Sequence, residues 1–466
     1  MKISFHGAAQ NVTGSKHLIK TAKGKQILLD CGLFQGHGKE TDGLNRNWGF
    51  EPSEVDYLIL SHAHIDHCGL IPKLIKDGFS GPIFCTPGTF DLMKILLFDS
   101  AKIQSYDIQY VNKKRAKQHK ELFEPLYEEE DVEAALSRVV EVEYQEEFRV
   151  NDDINFTFFN AGHIVGSASV YLIITEDGKN TRIGFTGDLG RYNDEIHPAP
   201  TSLPQVDILI CESTYGDRLH APVKEVEKQL HDIIEETCVK RKGNLVIPAF
   251  SVGRTQELVY ALNRLEINKE LPLINYYVDS PLSVEATKVV KKHYEDYNDK
   301  FQLFLKRDKD PFDFDQLHYV KEVEDSKAIE AIKEPVVIIS SSGMADAGRV
   351  KHHIAHNIED PRSTILIVGY CEPNSLGGRL GRGDKSVFIF GDEYQVKARI
   401  EKINSMSAHG DYNDMIRFLL PQHTNEVKKV FLVHGEVESQ LIFAKKLQNL
   451  GFEDINVPKL HEDFNI

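Results

Sequence analysis

No stretch of about 18 consecutive apolar residues occurs anywhere in the 466-residue chain, so the sequence offers no candidate membrane-spanning helix. The first residues, MKISFHGAAQNVTGSKHLI, carry no apolar run after their basic residue, and a secretory leader is not expected. A cytoplasmic location is the default that follows. Cysteine is sparse: Cys31, Cys68, Cys85, Cys211, Cys238 and Cys371 are widely scattered, with no CxxC pair to signal a structural zinc or a redox site. They read as reduced, mostly buried thiols. An excess of basic charge is missing as well. The formal net charge of −16 argues against a broad cationic surface that grips nucleic acid through many phosphates, while leaving room for a local cationic groove. Internal repeats and low-complexity linkers are also absent.

What is present fits a soluble enzyme, with 41% hydrophobic and 27% charged residues, neither a disordered nor a membrane composition. The length exceeds what one growing core accommodates, which favours two large domains or one domain with a big insertion. Short strand-like runs (26–29, 55–60, 82–85) separated by turns open the chain. Leu92, Ile95 and Leu96, then Val132, Ala135, Leu136 and Val139, recur at helical spacing and mark a helical excursion between about 91 and 140. Strand-like segments return at 154–159, 170–174, 182–185 and 206–211. From about residue 220 the rhythm changes. Val223, Val226, Leu230, Ile233, Ile234 and Thr237 form one helix face, and strands and helices alternate from there to about 369, the βαβ pattern of a parallel sheet.

The strongest chemical signal is the apolar run Val55 to Leu60 leading into Ser-His-Ala-His-Ile-Asp-His, residues 61–67. His62, His64, Asp66 and His67 crowd together where imidazole and carboxylate suit zinc, and a strand followed by a tight loop can splay them around two ions. The alternative for this segment alone is a His-rich surface turn. Other apolar runs end in the same kind of residue: 156–160 before His163, 183–186 before Asp188, 206–211 before Glu212, and 430–433 before His434. Ligands gathered at strand ends are a common way to build a site, because the sheet fixes positions while the loops vary.

With these residues in view, the chain resembles metallo-β-lactamase-fold nucleases of the β-CASP group over nearly its whole length. It is similar to bacterial and archaeal β-CASP ribonucleases and to the endonuclease subunit of the pre-mRNA cleavage and polyadenylation complex. The motifs are LLDCG with Asp30, HAHIDH from His62, GHIVGS with His163, TGDLG with Asp188, ESTYGDR with Glu212, SAHGDY with His409 and LVHGE with His434, in the family's order. The resemblance implies that His62, His64 and His163 hold one zinc, that Asp66, His67 and His434 hold the other, and that Asp188 bridges both. Asp30 is implied to hydrogen-bond the HAHIDH loop from behind, although a plain turn aspartate is the alternative for it. Two zincs would stabilise a bridging hydroxide for attack on phosphorus, with His409 as acid for the leaving oxygen and Glu212 keeping that imidazole protonated. On spacing alone, His409 and Glu212 are equally a buried structural pair.

Weaker features surround this set. Ser341-Ser342-Gly343 after the run 336–340 offers backbone N–H groups at a helix start, a phosphate cradle or an ordinary cap. Ser251 and Arg254 resemble the family's groove-facing segment and are candidate RNA contacts. Arg379, with Arg382, follows a Gly-rich turn that reads equally as a solvated loop. His352 and His356 sit four apart on an expected helix and read as an exposed face. The basic run Lys113, Lys114, Arg115, Lys117, Lys120 is a solvated face or a secondary RNA contact. Two departures from the family pattern are Cys68, where relatives often carry Ser, and the segment Cys371 to Asn374, which bears on substrate grip.

The expected fold class is α/β: a metallo-β-lactamase αββα sandwich from residues 1–212 and 395–466, with an inserted α/β β-CASP domain, a parallel sheet flanked by helices, at 213–394. The site is expected in the cleft between them, taking extended single-stranded RNA. No N-terminal RNA-binding domain of the archaeal kind is seen, so a compact bacterial-type enzyme is the comparison. The expected activity is zinc-dependent ribonuclease hydrolysis, endonucleolytic, with two Zn2+ per chain, no membrane partner, and a homodimer left open. A DNA nuclease of the same fold is disfavoured by His434, a diiron redox protein by His64, and a noncatalytic scaffold subunit by the complete ligand set.

Overall fold

The computed structural model describes residues 1–36, 38–220, 226–369, 371–403 and 406–466. It divides into two compact units, one of residues 1–192, 197–219 and 409–466, the other of 193–196 and 220–408.

The first unit contains two seven-stranded sheets. One runs Glu462–Asn465, Lys2–Gly7, Lys16–Lys20, Gln26–Leu29, Tyr57–Ile59, Ile83–Cys85, Val139–Glu141. The other runs Ile455–Asn456, Lys429–Val433, Ile208–Glu212, Lys179–Phe185, Ala168–Glu176, Ile154–Asn160, Glu147–Arg149. Period-two alternation explains their packing: in Ile154–Asn160, Ile154, Phe156 and Phe158 are buried while Asn155 and Thr157 are half-buried. These residues meet Ile3, Phe5, Ile27, Leu29 and Ile59 of the facing sheet in one core. Helices Tyr412–Leu419 and Val437–Asn449 cover the outer side of the second sheet through Met415, Phe418, Phe443 and Leu447, which pack on Leu209, Cys211 and Leu432. Between Ile83–Cys85 and Val139–Glu141 the chain leaves the sheets for helices Pro87–Lys117 and Glu129–Leu136, the expected excursion. This is the αββα layering.

All five residues of Ile208–Glu212 are buried, because the strand has parallel partners on both sides, Ile183–Phe185 and Lys429–Val433.

The second unit is built on a six-stranded, wholly parallel sheet in the order Leu317–Val320, Asn275–Asp279, Val336–Ser340, Leu245–Pro248, Thr364–Val368, Arg399–Ile403. Its three central strands, Val336–Ser340, Leu245–Pro248 and Thr364–Val368, are buried throughout and almost wholly apolar, as parallel strands covered on both faces are. The chain goes from Leu245–Pro248 over Val336–Ser340 to Asn275–Asp279, and later from Val336–Ser340 back over Leu245–Pro248 to Thr364–Val368. The loops after these two adjacent strands therefore leave in opposite directions, a topological switch point. The helix face read from Val223 onward is described from Val226, where Val226–Ile234 is helical; Val223 lies outside the described residues. No helix of the described residues is long and apolar enough to cross a membrane.

Candidate metal centre

Five strand ends of the first unit deliver the expected ligands to one place. Tyr57–Ile59 is followed by His62, His64, Asp66 and His67; Ile154–Asn160 by His163; Lys179–Phe185 by Asp188; and Lys429–Val433 by His434, while Glu212 closes Ile208–Glu212. His62 Nε2 and His163 Nε2 lie 3.1 and 3.2 Å from His64 Nδ1, and 3.4 and 3.7 Å from Asp188 Oδ2. On the other side, His67 Nε2 lies 3.2 Å from His434 Nε2 and 3.3 Å from Asp188 Oδ2, and Asp66 Oδ2 lies 3.4 Å from His434 Nε2. Asp188 Oδ2 thus touches both sets.

The donors fit a divalent cation better than they fit one another. Imidazole nitrogens that face each other across 3.1–3.2 Å cannot all be satisfied by shared protons. Asp188 Oδ1 is buried and accepts no hydrogen bond, a costly state for a carboxylate unless a cation is its partner. Three groups of donors close enough to share an ion occur here: His62, His64, His163 and Asp188; Asp66, His67 and His434; and Asp188 with Glu212, His409 and His434. Electrostatics supply the right protonation. Burial pushes His62 well below the ordinary histidine value and His64 down to about 4, leaving neutral rings with free lone pairs. Burial opposes the charged form of Asp188 too, but the surrounding imidazoles outweigh it and hold the carboxyl well below its usual range. Burial likewise works against a cationic His67, yet Asp188 and Asp30 raise it well above the usual value. A cation held at Nε2 would take the place of that proton and would leave Nδ1–H on Asp30.

Asp30 shows what stands behind the ligands. Its carboxylate lies 2.7 Å from His67 Nδ1 and accepts from Ser61 N at 2.8 Å, Ser61 Oγ at 3.0 Å and Ser15 Oγ at 3.1 Å. Ser61 Oγ in turn lies 3.0 Å from His62 Nδ1. One carboxylate therefore orients imidazoles of both sets, the arrangement by which outer partners fix ring direction. The LLDCG glycine serves the same end: a Cβ on Gly32 would sit 1.6 Å from the Asp66 carbonyl oxygen, so only glycine lets the strand end approach the ligand loop. Asp30 and His434 both hold left-handed backbone, φ 59° and 50°, a strain that aims their side chains.

His409 stands 3.4 Å from Glu212 Oε2 and 3.9 Å from Asp188 Oδ2 through Nδ1. Its burial favours the neutral ring, but Glu212 and Asp188 reverse this and raise it to about 9. With its side chain 20% exposed, against 5% or less for His62, His67, His163 and His434, it is, beside the half-buried His64, a ring open enough to reach a substrate. Glu212 is itself fixed by Leu189 N and Thr214 N.

Three residues near the centre escaped sequence reasoning. Thr214 Oγ1 lies 2.9 Å from His434 Nδ1, Ser167 Oγ accepts from His163 N at 3.0 Å, and Ser15 reaches Asp30 from a different strand. The first two lie inside quoted motifs, ESTYGDR and GHIVGS, and their hydroxyls were the available signal. The remaining candidates belong to the second unit. Ser251 and Ser341 meet at Ser280, 3.3 and 2.8 Å from its hydroxyl, at the switch point of the parallel sheet. Ser342 Oγ stays with the Ala347 backbone, Gly343 packs on the Phe250 ring, Arg254 pairs with Glu257, and Arg379 pairs with Asp384 at 3.0 Å. Neither arginine is a free cation here. His352 and His356 are exposed, as expected, and it is His353 between them that is buried, 2.6 Å from Asp279.

The metallo-β-lactamase superfamily model matches residues 15–222, the β-CASP domain model 255–380, and that of the Zn-dependent metallo-hydrolase RNA specificity domain 393–458. Ribonuclease TTHA0252 of Thermus thermophilus is 34% identical over 453 residues, 97% of either chain. The chain belongs to the β-CASP metallo-β-lactamase family. As a member, it is a metal-dependent hydrolase. The RNase J-like protein of Methanocaldococcus jannaschii is 33% identical over 95% of this chain and 94% of its own. The transcription termination factor FttA of Methanosarcina mazei is 30% identical over 96% of this β-CASP chain but 69% of its own. Compact relatives thus come from a bacterium and an archaeon alike.

Proposed function

We propose that this metal-dependent ribonuclease cuts single-stranded RNA internally, with two zinc ions per chain. The observation that carries the reading is the convergence of His62, His64, Asp66, His67, His163 and His434 on Asp188, whose second oxygen is buried, accepts no hydrogen bond and has only His434 Nδ1 at 3.6 Å beside it. Zinc is favoured because donors about 2.0–2.1 Å from a tetrahedral ion stand about 3.3 Å apart, close to the separations of 3.1 to 3.7 Å seen here. RNA is favoured by the names of the two compact relatives and by the match to an RNA specificity domain. A cytoplasmic location belongs to the same proposal, with a homodimer as the assembly to look for.

His62, His64 and His163 would hold one ion, Asp66, His67 and His434 the other, and Asp188 both. When bound, the pair supplies a nucleophile from water at neutral pH and offsets the charge that builds on the phosphoryl oxygens. Asp30 keeps the His67 and His62 rings aimed. His409, protonated at neutral pH with Nδ1 on Glu212, presents Nε2–H to the leaving oxygen. Ser251, Arg254, Ser341, Ser342, Gly343 and Arg379 of the 213–394 domain contact the RNA, the hydroxyls and backbone N–H groups serving phosphate oxygens and the arginines exchanging their present carboxylates for phosphate.

Incubating purified protein of measured metal content with 5′-labelled single-stranded RNA and the matched DNA tests the reading. Internal RNA fragments with DNA left intact are expected. Equal cutting of both polymers would make this a general nuclease, and full metal occupancy without cutting would overturn the substrate assignment.

A further inference from the structure

The 31-residue helix Pro87–Lys117 begins beside the metal centre and leaves it. Its start is tied to the His163 segment, because the hydroxyls of Thr86 and Thr89 both donate to the Gly166 carbonyl, at 2.6 and 2.8 Å. Leu92, Met93, Leu96, Leu97 and Ala101 anchor the first half, and beyond Ala101 the helix has no buried residue. Folding therefore gives no reason for large rings in the second half. Yet Tyr106 and Tyr110 stand one turn apart, 72% and 63% exposed. Lys113, Lys114 and Lys117 continue the same stripe, since residues three, four and seven apart share a helix face. Lys114 Nζ already lies 4.5 Å over the Tyr110 ring.

The surface is built rather than frayed. Asn112 exchanges hydrogen bonds of 2.8 and 2.9 Å with the Phe123 backbone, fastening the returning chain to the helix end, and the Arg115 guanidinium stacks 3.9 Å from the Phe123 ring. Among the described residues no carboxylate comes within ion-pair distance of Lys113, Lys114, Lys117 or Lys120. In residues 102–120, six cations face a single carboxylate, Asp107, in a chain whose net charge is −16. Exposed rings interleaved with unpaired cations match the alternating bases and phosphates of a single strand, where stacking is indifferent to sequence and the cations track the backbone. An acidic protein would use the lysines and leave the rings idle.

We propose that this stripe is a second, noncatalytic binding surface for single-stranded RNA, with bases stacked on Tyr106 and Tyr110 and phosphates met by Lys113, Lys114 and Lys117. The proposal rests on the reading of the chain as a ribonuclease. At 1.5 Å per residue Tyr106 lies about 30 Å along the helix from Pro87, so only RNA that extends well beyond the scissile bond reaches it.

Two holoenzyme variants test this, Tyr106→Ala/Tyr110→Ala and Lys113→Ala/Lys114→Ala/Lys117→Ala, each with cleavage of RNAs of roughly 6 and roughly 30 nucleotides, and with binding of a cleavage-resistant 2′-O-methyl RNA of the longer length. The ratio of long-RNA to short-RNA kcat/KM is expected to fall about ten-fold in the tyrosine variant, and binding of the methylated RNA to weaken by a similar factor. In the lysine variant the salt dependence of binding is expected to flatten by about 0.7 in log–log slope for each phosphate that is no longer neutralised. An unchanged ratio with unchanged binding overturns the surface while leaving the ribonuclease reading standing. Binding that depends on the stripe in a wild-type protein that cleaves no RNA supports the surface and sinks the ribonuclease reading. A change of sedimentation coefficient in either variant with RNA binding intact makes the stripe an interface between copies of the chain and overturns the proposal.

Discussion

At the strand ends of the sandwich unit, imidazoles and carboxylates face one another with lone pairs to spare, and Asp188 Oδ1 finds no donor. At the strand ends of the parallel-sheet unit, Ser251, Ser280 and Ser341 share hydrogen bonds, and Asp279 is satisfied by Arg349 at 2.7 Å and His353 at 2.6 Å. The first cluster is incomplete without positive charge, whereas in the second both carboxylate oxygens of Asp279 are paired, although His353 Nδ1 is buried without a hydrogen bond. Buried polar groups left unsatisfied are costly, so the first arrangement persists where something else supplies the missing partner. On the proposed function, metal chemistry belongs to the sandwich unit and substrate contact to the parallel-sheet unit, and substitutions should divide the same way.

The largest effect belongs to Asp188→Ala. Removing the carboxylate common to both ligand sets is expected to lower bound metal together with activity, read by metal analysis and RNA cleavage on one sample; full occupancy with normal turnover would break the contrast. His409→Ala comes next, with metal retained and kcat lowered by about two to four decades, the usual worth of a general acid. Loss of metal in this variant at neutral pH would move His409 among the ligands. The pH profile sharpens the assignment. A ring raised to about 9 is protonated and able to donate below that pH, and it loses the ability as pH rises through it. Glu212→Gln removes one of the carboxylates that raise it, so the basic limb of kcat should shift to lower pH.

Asp30→Asn should weaken metal affinity by about 10- to 100-fold while sparing the rate at saturating metal, since it acts through His67 and Ser61. The smallest effect is expected for Ser341→Ala, a rise in KM of less than about ten-fold with unchanged metal content, the size of one hydrogen bond removed. A large fall in metal content there would erase the distinction between the two units.

How much of this was readable in the sequence differs by residue. The segment 61–67 was legible because His62, His64, Asp66 and His67 fall within six consecutive positions. His163, Asp188 and His434 were legible because each follows an apolar strand. Ser15 was not, since its link to Asp30 depends on pairing between Lys16–Lys20 and Gln26–Leu29, and hydroxyls carry no pattern of their own. The left-handed backbone at Asp30 and His434 was equally silent, because either residue type also occurs without it. The helical excursion was visible in Leu92, Ile95 and Leu96, but its run to Lys117 was hidden because no buried face continues past Ala101. Pairing of Glu462–Asn465 with Lys2–Gly7 joins the chain's two ends, a long-range contact that local patterning does not encode.

The central claim is that the cluster around Asp188 is a two-ion site that works on RNA. Titrating metal-stripped protein with zinc, and following RNA cleavage against bound zinc, tests it most directly. Activity is expected to rise until about two equivalents are bound and then to level off. Full activity at one equivalent, or cleavage by the metal-free protein, would contradict it.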